Sequence, residues 1–371
     1  MTVLILSTGL PSERYPLNGI FAFDQAKALH NAGVDVVFLS VDLRSIRRIR
    51  RWGYTHGTKE GIQWHNISIP VGPIDCVHKL ISRSVVCRLY RKVFKDKKPD
   101  IIHAHFASNF AYYLGQKYNI PYVITEHSSS VNRDDLPIAV VDELKLYYGN
   151  AERVISVSSA LGKRIHKSTG IVCSVIPNII DTHLFACVEI VPHSGFNLVT
   201  TSNLIPLKRT INILQTIPNV LATGCQVHLD IIGEGPMKGE LLRFVAEKGI
   251  EDNITIHGLL KRDEISRIYA NADCFVLPST TETFGVAYVE AMAAGLPVIA
   301  TRCGGPEDFV NASNGVLIDV DNLQQLEDAI LYMYDHHQEY DERVIRSSVL
   351  NLFSPEVIST ELVNLYSEIL G

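Results

Sequence analysis

The chain has 371 residues, 46% hydrophobic and 20% charged, with a formal net charge of −6. It is too long for one ordinary core and too apolar for disorder or a collagen-like chain, so two α/β domains of roughly 150–200 residues are expected. No apolar run approaches the ~20 residues of a bilayer span, and Met1 leads straight into a strand-like segment, which argues against export. Seven scattered cysteines without a Cys-x-x-Cys pair point to a reduced cytoplasm rather than to a disulfide framework or a zinc ribbon.

In chain order, short β-branched runs read as strands at 3–7, 35–41, 100–105, 122–127, 153–158 and 173–178. A second series follows at 196–202, 227–233, 254–258, 274–279, 297–301 and 315–319. Helical patterns such as FAFDQAKALHNAG (21–33), MKGELLRFVAEKG (237–249) and RDEISRIYANA (262–272) lie between them. Near-continuous apolar strands alternating with helices predict parallel sheets covered on both faces. The stretch 177–195 carries two prolines and no periodicity, and reads as a linker between two doubly wound halves. The expected domains are 1–182 joined by a returning helix at 354–371, and 190–353. Ligands in such sheets sit beyond the carboxyl ends of the strands.

Charge is unevenly divided. Through residue 182 there are 23 lysines and arginines against 15 acids; beyond it, 11 against 25. The excess gathers in Arg44, Arg47, Arg48, Arg50 and Arg51, then in Arg83, Arg88, Arg91, Lys92, Lys95, Lys97 and Lys98. These are either solvated faces or a surface that meets anionic lipid or a phosphorylated acceptor, each basic residue there adding about 1 kcal/mol. Nucleic acid is not expected, since the whole chain is acidic and no recognition motif accompanies the patch.

The segment PSTTETFGVAYVEAMAAGLPVIATRCGGPEDF (278–309) carries the most chemistry. A strand ends at Pro278, and a helix begins near Gly285. Thr283, Phe284, Gly285 and Val286 fall at its first turn, where open backbone N–H groups and the helix dipole favour an anion. Glu282 and Glu290 are separated by at least ~12 Å on a helical rise. That is too far for two carboxylates flanking one glycosidic bond, but suits one acid at each end of an extended nucleotide sugar.

The Glu282-x7-Glu290 spacing, followed by AMAAGLPVIAT and Gly304-Gly305-Pro306-Glu307, resembles the retaining GT-B glycosyltransferases of family 4. SNLIPLKR (202–209), IIGEGP (231–236), HGLL (257–260) and the linker run IPNIIDTHLF (176–185) extend the resemblance over nearly the whole chain. It implies two Rossmann-like domains facing a central cleft. It also implies roles: Glu290 on the ribose hydroxyls, Glu282 on the transferred sugar with the Phe284 and Gly285 amides nearby, and Lys208 on the diphosphate. Gly233 and Gly235 would form a phosphate-side turn, and Leu259 would end the strand beside the base. Where the family has an arginine, this chain has Asn203, a neutral group; Arg209 next to Lys208 is either its substitute or a solvent-facing helix residue.

In the first half, the resemblance places Asn18 and Gly19 at a glycine-bearing loop opening a helix toward the donor phosphates or the acceptor. It places His127 beside the transferred sugar. His103 and His105 alternate on one strand face. His105 reads as lining the acceptor side and His103 as a core residue, while a metal role for the pair would need a third ligand such as Glu126. Asp319-Val320-Asp321 mimics a metal-binding Asp-x-Asp, but Asp321 reads as a plain helix N-cap.

The expectation is therefore a cytoplasmic, metal-independent hexosyltransferase with no cofactor, possessing no committed nucleophile. It would move a hexose or N-acetylhexosamine from a nucleotide-diphosphate sugar, UDP by family frequency, to a saccharide or lipid-linked saccharide. Such an enzyme belongs at the inner face of a membrane in bacterial surface-polysaccharide assembly. A sugar-nucleotide 2-epimerase and a non-catalytic nucleotide-sugar binder are the alternatives.

Overall fold

The computed structural model describes residues 1–15, 17–44, 51–71, 75–95, 97–106, 108–181, 184–185 and 195–371. Arg47, Arg48, Arg50 and most of the 177–195 linker lie outside the described residues. The chain divides into two compact units: Met1–Ile179 with Pro355–Gly371, and Ile180–Ser354.

The first unit is built on β1 (Thr2–Ser7), β2 (Asp35–Arg44), β3 (Gly53–Lys59), β4 (Ile62–Pro70), β5 (Ile101–His105), β6 (Tyr122–Glu126), β7 (Arg153–Ser156) and β8 (Ser174–Val175). Their order is β3-β4-β2-β1-β5-β6-β7-β8, parallel throughout except for the antiparallel β3–β4 pair. Helices α1 (Ile20–Asn31), α2 (Asp75–Phe94), α3 (Ser108–Tyr118), α4 (Ile138–Gly149) and α5 (Ser159–Thr169) follow strands. The second unit orders β11 (Ile254–Gly258), β10 (Val227–Ile232), β9 (Phe196–Thr201), β12 (Cys274–Leu277), β13 (Val298–Thr301) and β14 (Gly315–Ile318) into one parallel sheet. Its helices are α6 (Thr210–Ala222), α7 (Lys238–Lys248), α8 (Arg262–Ala270), α9 (Val286–Ala293), α10 (Leu323–His336) and α11 (Glu342–Phe353). In each unit the strand order reverses once, at β1/β5 and at β9/β12, and the carboxyl ends of strands at such a reversal are where a doubly wound sheet leaves a crevice.

The β3–β4 hairpin is the element that the sequence reading omitted. Its residues, GYTHGTK and IQWHNISIP, are largely polar and half-exposed. An edge pair of this kind lacks the apolar run that marks a central strand.

The last helix, α12 (Pro355–Leu370), belongs to the first unit. Ile358, Leu362, Leu365 and Tyr366 enter the same core as Ala22, Phe23, Ala26 and Leu29 of α1. Burying each large side chain contributes about 1.5–3 kcal/mol, so α12 is a structural part of that core. Tyr366 also reaches the interior strand β5, where its hydroxyl lies 2.5 Å from His103 Nδ1. His103 Nε2 is 2.6 Å from Thr125 Oγ1, so both ring nitrogens have partners. Among the described residues no helix is long and apolar enough to cross a membrane.

His103, His105 and His127 form a buried column, with ring centroids 4.4 and 5.2 Å apart along it. Burial, reinforced by the facing His127, pushes His103 down to about 3. Burial lowers His127 to about 3 as well, outweighing the opposing pull of the Asn178 amide, and lowers His105 far below its usual value. All three fold as neutral rings. Between about pH 3 and 6.5 the unfolded chain then binds more protons than the folded one, so stability rises with pH across that window. Burial raises the Glu126 carboxyl, which acts with the opposite sign but as one group against three. Melting temperature is thus expected to hold above about pH 6.5 and to fall steadily toward pH 4, each histidine costing up to ~1.4 kcal/mol per pH unit. Thermal unfolding scanned over pH 4–7.5 checks this, and a flat profile would contradict the neutral column.

Candidate functional site

In the second unit the loops that follow β9, β12 and β13 meet at Glu282. Its Oε1 accepts from Lys208 Nζ at 2.6 Å and from Ser279 Oγ at 2.7 Å. Its backbone N–H donates to the Cys303 carbonyl at 3.2 Å, and its own carbonyl accepts from the Gly305 N–H at 3.1 Å. Gly305 is required there: a Cβ would stand 2.2 Å from the Phe284 carbonyl oxygen. Gly305, after β13, is therefore a packing device against the residue ahead of the α9 cap.

Helix α9 starts one residue after Gly285, which caps it in the left-handed region at φ 101°. Phe284 is buried against Phe309 and Phe353, which fixes the backbone ahead of the cap. Among the described residues, the N–H groups of Thr283, Phe284, Gly285, Val286 and Ala287 donate to no backbone carbonyl. A run of open amides at a helix start, with an ammonium one carboxylate away, is an arrangement that favours an anion. Inside the helix Tyr288 donates its hydroxyl to the Leu277 carbonyl, locking α9 onto β12.

Glu290 lies on the buried face of α9, where Arg262 Nη2 approaches its Oε1 to 3.1 Å. Arg262 opens α8 and was not singled out from sequence, because a basic residue at the start of an exposed helix has no distinctive spacing. The pairing with a carboxylate 28 positions further on appears only in the fold. Both acids of the Glu-x7-Glu pair therefore have cationic partners within their own unit: Lys208 for Glu282 and Arg262 for Glu290.

The remaining donor-side residues fall at the strand ends on either side of the β9/β12 reversal and at the adjoining β10 and β11. Asn203 is exposed two residues after β9, and Leu259 is 72% exposed immediately after β11. Gly233 and Gly235 have a different reason to be glycine than a phosphate. A Cβ on Gly233 would lie 1.8 Å from the Ser202 carbonyl oxygen, and one on Gly235 would lie 2.3 Å from that of Leu204. Their space is filled by the neighbouring loop, which is stitched to them by Ser202 N–H to Ile232 O and Leu204 N–H to Glu234 O.

Arg209 does not stand beside Lys208 as a second ammonium-like group. It adopts φ 51° at the start of α6, and its fork grips Asp321 at 2.6 and 3.0 Å while Nη1 donates to the Pro206 carbonyl. This also corrects the expectation for Asp321. Asn322, not Asp321, caps α10, its side chain accepting from the Gln325 N–H at 3.0 Å. The Asp-x-Asp look-alike is split: Asp321 serves Arg209, and Asp319 accepts from Gln325 Nε2.

In the first unit Gly19 caps α1 with φ 75°, and a Cβ there would sit 2.3 Å from the Gly9 carbonyl oxygen. The β1–α1 loop thus closes tightly on itself, with Asn18 against Gly9. His127 directly follows β6, stacked by Phe106 at 4.7 Å and Phe21 at 5.6 Å. His105, expected to line an acceptor surface, is fully buried behind it, Nδ1 lying 2.9 Å from His127 Nε2. It can act on a ligand only through His127.

Residues 195–336 match the family model described as glycosyl transferases group 1, and residues 19–184 match glycosyltransferase family 4. The chain is 26% identical to the putative teichuronic acid biosynthesis glycosyltransferase TuaC of Bacillus subtilis, covering 93% of this chain and 92% of that one. It is 27% identical to the N-acetyl-alpha-D-glucosaminyl L-malate synthase of Bacillus anthracis, over 75% of this chain and 77% of that protein. Among solved structures it superposes on Anabaena HepE in complex with UDP and glucose with a TM-score of 0.76 at 18% identity, covering 99% of each chain. Sucrose-phosphate synthase from Thermosynechococcus elongatus superposes with a TM-score of 0.77 at 19% identity, covering 100% of this chain and 99% of that one. These two likenesses concern the fold.

Two glycines of the second unit test the loop assignment. Gly233→Ala is expected to destabilise the protein by about 1–3 kcal/mol or more, since both the space and the positive φ are denied to it. Gly239→Ala, on α7 with nothing within 4 Å of its Cβ, is expected to stabilise by about 0.4–1 kcal/mol. Denaturant midpoints of the two variants measure the contrast; equal midpoints would refute the packing explanation.

Proposed function

Since the chain belongs to the group 1 glycosyltransferases of family 4, we propose that it is a retaining, metal-independent enzyme. It moves a hexose or N-acetylhexosamine from a nucleotide-diphosphate sugar, UDP-linked by preference, to a saccharide or lipid-linked saccharide. The supporting observation is the run of open amides at the start of α9 with the Lys208–Glu282 pair beside it. The diphosphate would lie on those amides, and its charge would draw Lys208 from Glu282, freeing that carboxylate for hydroxyls of the sugar. Arg262 would hold Glu290 in place for the ribose. The acceptor oxygen would attack the anomeric carbon from the face that the diphosphate leaves. The C–O bond to phosphate breaks as the new glycosidic bond forms, and the acceptor proton passes to the leaving diphosphate. Charge stabilisation by pre-set dipoles and one ammonium is what the protein contributes.

Lys208→Ala and Glu282→Ala are each expected to lower transfer by about 100- to 1000-fold, the range for losing one preorganised charge stabiliser. The fold should survive, because Lys208 is 21% exposed and can reach water when its partner is removed. A donor at 100-fold its dissociation constant should stabilise the parent by ~2.7 kcal/mol. Calorimetric unfolding with and without UDP-sugar, together with initial rates, measures both effects. Near-normal turnover in the two variants defeats the assignment, and an epimer formed from donor alone would turn it to the 2-epimerase reading.

Exposed Arg83, Arg88, Arg91 and Lys92 on α2, with Lys95 just beyond its end, support a second element of the proposal, work at the inner, anionic surface of a membrane. Binding to phosphatidylserine vesicles should weaken as salt rises. Changing Arg88 and Lys95 to serine should weaken it by roughly 10-fold or more, at about 1 kcal/mol per charge. Sedimentation with vesicles measures this, and indifference to salt removes the membrane role.

A further inference from the structure

His105 and His127 share a single hydrogen bond, His105 Nδ1 lying 2.9 Å from His127 Nε2. Both rings are buried and neutral, so each carries one hydrogen, and only one of the two facing nitrogens can bear it. The outer nitrogens decide which. His105 Nε2 and His127 Nδ1 are shut off from water, and among the described residues neither makes a hydrogen bond. With His127 Nε2–H as donor, His105 would carry its hydrogen on Nε2, a buried N–H without an acceptor. With His105 Nδ1–H as donor, His127 carries its hydrogen on Nδ1, beside the Asn178 amide. Asn178 stands close enough to pull on His127 without completing a hydrogen bond, and its Oδ1 is itself buried with no donor. The second arrangement leaves only an unfilled lone pair on His105 Nε2, and an unfilled acceptor is a smaller loss than a stranded N–H.

That direction leaves His127 no ring nitrogen to offer outward. Nε2 accepts from His105, Nδ1 faces Asn178, and Phe106 and Phe21 stack on the ring at 4.7 and 5.6 Å. Phe106 follows β5 with φ 55° and is 38% exposed. A bulky side chain in the left-handed region is an outlier that persists only where its surroundings hold it, and such strain gathers at functional sites. The ring stacked on this strained residue is the His127 imidazole. Cause therefore runs from one hydrogen atom on His105, through the angle of the His127 ring, to an aromatic side chain standing open at the carboxyl end of β5.

We infer that His105 is a positioning residue: its Nδ1–H turns His127 inward and makes that imidazole the support of Phe106, so that no ring nitrogen of His127 bonds a sugar hydroxyl. That role rests on the transferase reading only for the reaction it serves, and its first test needs no turnover. The full-length chain labelled with nitrogen-15 histidine reports each tautomer through its ring nitrogens, with signals assigned by single replacement of each histidine. At neutral pH both His105 and His127 are expected as neutral Nδ1–H rings. His127 should keep that form when UDP-glucose or UDP-N-acetylglucosamine is added. A His127 that is protonated or Nε2–H, or that changes tautomer with either donor, overturns the inference.

Two variants then separate positioning from mere filling of space. His105→Leu keeps a side chain of similar bulk and removes the donor, whereas His105→Asn offers an amide N–H close to where Nδ1 stood. In His105→Leu the hydrogen-bonded Nε2 signal of His127 should vanish. The kcat for UDP release from the donor should fall on the order of 10- to 100-fold, the scale of a small misplacement, with the donor KM little changed. In His105→Asn the signal should return with most of the lost rate. An unchanged His127 spectrum in His105→Leu, a normal kcat there, or equal losses in both variants overturns the role. Should His105→Leu fail to fold, the spectra of the parent and of His105→Asn decide. A parent that shows the Nδ1–H pattern yet is inert toward every nucleotide sugar would instead overturn the transferase reading and leave the His105–His127 bond standing as assigned.

Discussion

Glu282 is the point on which the second unit's crevice depends. Its side chain draws in Lys208 from the loop after β9 and Ser279 from the end of β12, while its backbone pairs with Cys303 and Gly305 after β13. Three loops that could each wander are held to one residue. Its carboxylate is 10% exposed and Lys208 is 21% exposed, so the pair keeps contact with water and avoids the full desolvation cost of a buried ion pair. The interaction is firm enough to hold a shape and open enough to be exchanged for another anion.

The two units share the same kind of strand-order reversal, with different chemistry at it. In the second, charged groups and open amides surround β9 and β12. In the first, the ends of β5 and β6 carry neutral imidazoles stacked with Phe21 and Phe106, a set of donors and acceptors without net charge. The charged diphosphate proposed for the second unit would call for that difference, and one topology carries either kind of surface.

Most of the architecture was legible because parallel strands are buried on both faces and read as compact apolar runs. The twelve strand segments read from sequence all have counterparts in the sheets. The β3–β4 hairpin was not legible, since Gln63, His65 and Asn66 break the apolar pattern, and two of them find their partners only across the strand pair, His65 with Tyr54 and Asn66 with Thr55. For the site, Glu282 could be placed ahead of the α9 start because glycine punctuation and helix start signals are local, whereas Lys208 entered only through the family resemblance of the segment 202–209. Long-range pairings could not be read: Arg262 with Glu290, Arg209 with Asp321, Tyr366 with His103. Asp321 looked like a cap because it precedes a helix, and a left-handed φ of 56° shifted the cap to Asn322. His105 looked accessible because strand alternation gives the face of a residue but not the depth of what covers it.

The placement of α12 has a consequence for how the protein is made. The amino-terminal core lacks Ile358, Leu362, Leu365 and Tyr366 until residues 355–371 leave the ribosome, and all of the second unit is synthesised in between. At about 5–20 residues per second the nascent first unit waits with an apolar groove along α1 open and His103 missing its tyrosine, a natural client for chaperones. The second unit has no such debt to a later segment, so the order of completion on the ribosome runs opposite to the order of the sequence.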